Sequence, residues 1–318
     1  MLMPFSGKKS PLVSYDETRP YLGAYVRIHF YYESKRDIEA VLRRCWDKVE
    51  AVHRHMNVHA TTLEGDLSRL NAGGLSGVRV NPDVYQIIKN SLAYSRKTQG
   101  AYDITVFPLI EQWKKAAAKG RMPDKNDLEA AKEKVGYQNL RLEAPDRVFF
   151  QKPGMKIDLG SPASGFVCDE IAKILSSNKI QHFLLDGGGE IFCRGKDQGI
   201  KPWVIGIQDP FNKDKLHSIV HLQDKGISTS GSYEKFYRIG TETFSHIIDP
   251  VSGYPQKFVV SASAMAPTTE AANQLSTAFS VLGARQAMRL ASVLNDVEAL
   301  VIENHEGIIT QYQTAGFR

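Results

Sequence analysis

The residues with the most chemistry to offer lie between Thr229 and Pro255, in the string TSGSYEKFYRIGTETFSHIIDPVSGYP. At its centre His246 precedes Ile247, Ile248, Asp249 and Pro250. The two isoleucines predict a buried strand end, which places His246 on a rigid element at a chain reversal. An imidazole titrates near neutral pH, and one held in place can carry a proton or contact a phosphate. Read alone, the same string is also a satisfied core histidine ahead of an ordinary Asp-Pro turn.

Four further groups bear on chemistry. In a helix read over Thr268 to Leu282, with Thr268 or Thr269 as N-cap, Asn273, Ser276 and Thr277 recur at i, i+3 and i+4 and share one face. Oxygens clustered near a helix start suit a hard cation or a phosphate; a polar solvent face is the plainer alternative. Asp158-Leu159-Gly160-Ser161-Pro162-Ala163-Ser164-Gly165 reads as a strand, a glycine-containing turn and a helix start, where backbone can approach a ligand. A simple strand-to-helix connection with Asp158 as its cap reads equally well. Gly100-Ala101-Tyr102-Asp103 follows a helix read over Pro82 to Thr98, with Gly100 as its C-cap. Leu185-Asp186-Gly187-Gly188-Gly189-Glu190 reads as a tight hairpin that either packs against a ligand pocket or is only a turn. It is not a dinucleotide fingerprint, because no βαβ unit surrounds it.

The elements that must position these groups are legible from periodicity. Tyr25 to Tyr32 reads as a strand, and Asp37 to His55 as a helix burying Val41, Cys45, Val49 and Val52. Lys114 to Lys134 reads as an exposed helical excursion. Phe183 to Arg194 is strand-turn-strand, and Trp203 to Gln208 with His217 to Leu222 form an antiparallel pair. A second helix, Ala284 to Leu294, and a strand, Glu298 to Glu303, close the chain. Helices and antiparallel strands are grouped rather than alternating, so the fold class is α+β, mostly antiparallel sheets with packed helices. The domain reading is an N-terminal extension over 1–20 and one domain over 21–318, with two intimate subdomains as an option.

A chain of 318 residues, 42% hydrophobic and 24% charged, can bury a sizeable core. Its net charge of +5 is scattered rather than striped, so nucleic acid is not an expected partner. No apolar run has the length to span a bilayer. Cys45, Cys168 and Cys193 have neither disulfide nor zinc spacing.

Six collinear strings resemble the ApbE family of FAD:protein FMN transferases: LSRLN (Leu67 to Asn71), GAYDITVFPLIEQW (Gly100 to Trp113), DLGSPASGFVCDEIAKIL (Asp158 to Leu175), LLDGGGEIFCRG (Leu184 to Gly195), SHIIDPVSG (Ser245 to Gly253) and SASAMAPTTEAANQLSTAFSVLG (Ser261 to Gly283). The resemblance spans roughly residues 20 to 310. It implies an ApbE-like, T-fold-related architecture and a Mg²⁺-dependent reaction. A Thr or Ser hydroxyl of a partner flavoprotein attacks the FMN-side phosphate of FAD, and AMP leaves.

Carried over residue by residue, it implies flavin-nucleotide contacts from Leu22, Thr61, Ala101, Tyr102, Asp103, Asp158, Ser164 and His246. It implies metal ligation by the Ser161 carbonyl, Asn273, Ser276 and Thr277, and a catalytic or phosphate-contacting role for His246. Several positions depart from the family. Asn273 stands where an Asp is usual, Ser164 where a Lys or Glu is usual, Thr61 where a stacking Tyr is usual, and Phe107 where a Gly is common. These departures leave an alternative, a flavin-binding protein with little or no turnover. Members are typically exported. The expected compartment is therefore periplasmic or extracytoplasmic if a signal has been removed, and cytoplasmic otherwise.

Overall fold

The computed structural model describes residues 11–56, 65–232 and 235–318. Its centre is an eight-stranded sheet in which spatial order equals chain order: Leu12–Arg19, Val26–Glu33, His182–Asp186, Ile191–Arg194, Lys225–Gly231, Val259–Ala266, Glu298–His305 and Ile308–Gln313. Every neighbouring pair is antiparallel. The α+β reading therefore holds. The segment Leu12–Arg19 had been assigned to an N-terminal extension. It is the edge strand of this sheet, paired along its whole length with Val26–Glu33.

Among the described residues, seven α-helices follow in chain order: α1 (Glu39–His55), α2 (Asp66–Gly73), α3 (Pro82–Lys97), α4 (Phe107–Lys119), α5 (Lys125–Lys132), α6 (Gly160–Ser177) and α7 (Thr269–Val293). One sheet face is covered by α1, α3, α6 and α7. The alternation in the second strand explains this: Val26, Ile28 and Phe30 turn inward, while Arg27 and His29 turn away. On the helix side Val41, Cys45, Val49 and Val52 of α1 and Val84, Ile87, Ile88 and Leu92 of α3 form the facing stripes. Each large side chain fully withdrawn from water here contributes roughly 1.5–3 kcal/mol. The opposite face is covered by the hairpin Trp203–Asp209 and Asn212–Leu222, through Trp203, Ile205, Val220 and Leu222.

Helix α7 is fixed by three devices. Thr268 caps it, its side chain accepting from the Ala271 N–H at 3.2 Å. Asp169 of α6 adds a second cap, accepting from the Thr269 and Glu270 N–H groups at 2.8 and 3.0 Å. The third is close approach. A Cβ at Gly165 would lie 2.7 Å from the Glu270 backbone, and one at Gly226 would lie 2.6 Å from the Thr269 nitrogen. The helix runs through Gly283, whose φ of 74° breaks it where the sequence places a boundary between two helices.

Two local readings change. Helix α6 begins at Gly160, and residues 155–159 just before it form no strand, so Ser161 and Ser164 are helical. The region Lys114–Lys134 is not simply exposed: Ala116, Leu128 and Ala131 pack with Leu109, Trp113, Ile239 and Ile248. The Trp113 indole N–H donates to the Gly253 carbonyl at 2.9 Å, anchoring the turn that follows His246.

Candidate functional site

A cleft of about 360 Å³ opens where the N-terminal turns of α6 and α7 meet the chain reversals of the sheet. Leu22, Ala101, Tyr102, Asp103, Asp158, Ser161, Ser164, His246, Asn273 and Thr277 line it. Ten of the twelve candidate residues, drawn from five separate segments, thus converge. Thr61 lies outside the described residues. Ser276 does not reach the cleft: it is fully buried, donating to the Asn273 carbonyl at 2.9 Å and lying 2.9 Å from the Ser230 hydroxyl. A single step along a helix turns Ser276 about 100° away from Thr277, far enough to face the sheet.

His246 follows the strand Glu242–Ser245, which pairs with Phe236–Ile239 in a small separate sheet. Its Nδ1 lies 2.8 Å from the Lys235 carbonyl. A carbonyl only accepts, so Nδ1 carries the proton and Nε2 keeps a free lone pair. Burial holds the ring below the ordinary histidine value, although the bond to the carbonyl opposes the shift. His246 is therefore neutral near pH 7 and able to accept a proton at Nε2.

Asp158 and Asp103 do structural work at the rim. Asp158 steadies the chain just ahead of α6, accepting from the Gly160 N–H at 2.8 Å. Asp103 accepts from the Thr105 N–H, the Thr105 hydroxyl and the Tyr137 N–H at 2.8, 2.7 and 2.9 Å. Burial raises its pKa against the opposing pull of these bonds. Tyr102 is not a stacking platform. Only 4% of it is exposed, and its hydroxyl sits 3.4 Å from that of Ser91 inside the core. Phe107 does not narrow the cleft either; its ring faces the ammonium groups of Lys114 and Lys156. Leu22 lies on the wall in a left-handed conformation, φ 55°, its N–H bonded to His53 Nδ1 at 3.3 Å.

The opposite corner is an oxygen cluster. The Ser161 hydroxyl donates to Asn273 Oδ1 at 2.6 Å, and Asn273 Nδ2 donates to Glu190 Oε1 at 3.0 Å. The Thr277 hydroxyl donates to the Asn273 carbonyl at 3.1 Å. Hard oxygen donors of this kind suit Mg²⁺ or another hard cation. Among the described residues there is no group of three or more His, Cys, Asp or Glu placed to hold a metal. Glu190, Lys235 and Ser230, none of them among the twelve candidates, also line the cleft, Glu190 at the end of the triple-glycine hairpin. The available signal for Glu190 was a carboxylate closing a triple-glycine hairpin. Lys235 and Ser230 carried none that distinguished them from ordinary surface residues.

A larger depression of about 610 Å³ lies beyond Asp249, lined by Tyr254, Phe258 and Glu303 among others. Its polar groups serve the fold. Asp249 holds the Val251 N–H, Gln256 pins Val259, and Glu303 accepts from the Ala284 N–H at 2.7 Å across the Gly283 break. The smaller cleft is the better candidate because unrelated chain segments aim polar groups into it.

Comparison with known proteins identifies the family. A family model described as the ApbE family matches residues 22–301. An FAD:protein FMN transferase of Haemophilus influenzae is 28% identical over 299 residues, covering 90% of this chain and 86% of that protein. One from Klebsiella pneumoniae is 33% identical over 238 residues, covering 73% and 68%. Among solved structures, the flavin transferase ApbE from Vibrio cholerae superposes with a TM-score of 0.83 at 26% identity, covering 96% of this chain and 99% of that one.

Proposed function

This chain belongs to the ApbE family, and we propose that it is an FAD:protein FMN transferase that moves FMN from FAD to a Thr or Ser hydroxyl of a partner flavoprotein. The observation that carries the reading is the pairing in one cleft of a neutral histidine, its Nε2 free, with a corner of hard oxygens. Phosphoryl transfer needs little else from a protein than positioning, charge compensation and a destination for the nucleophile's proton.

In this reading the acceptor hydroxyl attacks the FMN-side phosphorus. A new P–O bond forms to the acceptor, the P–O bond to AMP breaks, and the hydroxyl proton passes to His246 Nε2. Asp158 and Asp103 keep the loops around the dinucleotide in shape. Ser161, Asn273 and Thr277 are the residues to hold Mg²⁺, which when bound neutralises pyrophosphate charge. The ammonium of Lys235, exposed at the rim, adds positive charge on the His246 side.

A second reading, flavin binding without turnover, is favoured by the neutral amide at Asn273. Incubation with FAD, Mg²⁺ and a Thr-containing acceptor peptide, followed by mass spectrometry, separates the two. The expected outcome is a peptide heavier by one FMN group, with AMP released in equal amount. FAD bound with no modified peptide supports the second reading, and no FAD binding at all removes both.

A further inference from the structure

Asn273 is held at both ends of its amide. Its Oδ1 accepts from the Ser161 hydroxyl at 2.6 Å, and its Nδ2 donates to Glu190 Oε1 at 3.0 Å. An ionised carboxylate only accepts, so the end facing Glu190 must be the NH₂ end. Glu190 thereby turns the one amide atom able to bind a cation towards Ser161 and the start of α6. Glu190 is itself fixed by its hairpin. The Gly187 N–H donates to the Glu190 carbonyl at 2.9 Å, and the Gly189 N–H to Asp186 Oδ1 at 2.7 Å. Gly188 and Gly189, with φ of 80° and 106°, make the turn that brings the carboxylate back over the cleft.

We propose that Glu190 is the anionic positioning residue of the cleft's cation site. It fixes the Asn273 amide with its carbonyl oxygen towards the cation, and it supplies next to that cation the negative charge that an amide lacks. The inference rests on the cation site of the proposed function. It has a sharp consequence: the corner needs one carboxylate across positions 190 and 273, and which of the two carries it is exchangeable. With none, a divalent cation gains too little Coulomb energy to offset its dehydration. With two and no cation, like charges face each other across a hydrogen-bond distance.

The test is Mn²⁺ binding to the FAD-free protein, followed by electron paramagnetic resonance, with the thermal unfolding midpoint measured in EDTA on the same samples. Glu190→Gln is expected to weaken Mn²⁺ binding by ~10-fold or more, as loss of a partner that orients a metal ligand does, while its midpoint stays at the wild-type value. The swap Glu190→Gln with Asn273→Asp is expected to return Mn²⁺ affinity to the wild-type range. Asn273→Asp alone is expected to lower the midpoint in EDTA and to regain it when Mn²⁺ is added.

Unchanged Mn²⁺ affinity in Glu190→Gln overturns the proposal, as does a swapped double variant that binds no better than Glu190→Gln. A Glu190→Gln protein whose midpoint and FAD binding fall together with its Mn²⁺ affinity makes Glu190 a structural residue and also overturns it. If the wild-type protein binds no Mn²⁺, the cation site itself is wrong and the proposal falls with it.

Discussion

Two polar clusters share the first turns of α7 and differ in what satisfies them. At the crossing with α6, Asp169 takes the Thr269 and Glu270 N–H groups, while Glu270 takes Asn90 on one oxygen and Gln274 on the other. Both carboxylates are buried, and burial pushes Asp169 up to about 6 and Glu270 up to about 8. On the cleft side, Asn273 and Thr277 sit among oxygens that open onto space. The crossing is closed on itself, whereas the cleft corner borders open space. Shifted acidity marks both kinds of site. Access to a cleft, not the size of the shift, separates a structural cluster from a functional one.

The comparison breaks most easily at His246. Replacing it with Ala should slow flavin transfer by ~100-fold or more, the usual worth of a positioned general base, and leave FAD affinity nearly unchanged. Equal losses in rate and in affinity would make it a binding residue only. In the wild type, transfer should rise with pH as Nε2 loses its proton and level off above. The half-maximal point should fall below the ordinary value of 6.5, because burial disfavours the charged ring. A midpoint above that value would mean that a nearby anion, not burial, governs the ring.

The crossing should fail next. Gly165→Ala puts a methyl 2.7 Å from the Glu270 backbone, which cannot swing aside as a side chain can. Overpacking of this kind costs about 1–3 kcal/mol, readable as a lower denaturation midpoint. An unchanged midpoint would show that α6 and α7 slide past each other freely.

The smallest effect sharpens the contrast. Glu270 has its pKa raised from 4.5 to about 8, so its contribution to stability is fully present below pH 4.5 and is lost as pH rises to about 8. Glu270→Gln removes that titration. The variant should match the wild type near pH 4 and become the more stable of the two as pH rises towards 8. Thermal melts across that range decide it; a constant difference at every pH would show that Glu270 does not titrate in that window.

Much of this could be read in the residues themselves. The 3.6-residue stripes of α1 and α3 and the two-residue alternation of Val26–Glu33 depend on local geometry, and both elements formed as the pattern required. The break at Gly283 was legible for the same reason, since glycine at positive φ is a local preference. The convergence of Ala101, Asp158, His246 and Asn273 was legible only through the order of six motifs, because nothing local says which loops meet. Other features lay beyond local reading. Leu12–Arg19 became an edge strand because a partner with the right inward face lay beside it. Tyr102 went into the core because Ser91 and the packed helices enclosed it. Ser276 turned to the sheet because the start of α7 lies close against Gly226, which brings Ser276 beside Ser228 and Ser230 of the strand Lys225–Gly231. Glu190 reached Asn273 across 83 residues of chain. Sequence determines which conformations each segment prefers; which polar side chains find one another follows from how helices and sheet pack, and packing is a property of the whole chain.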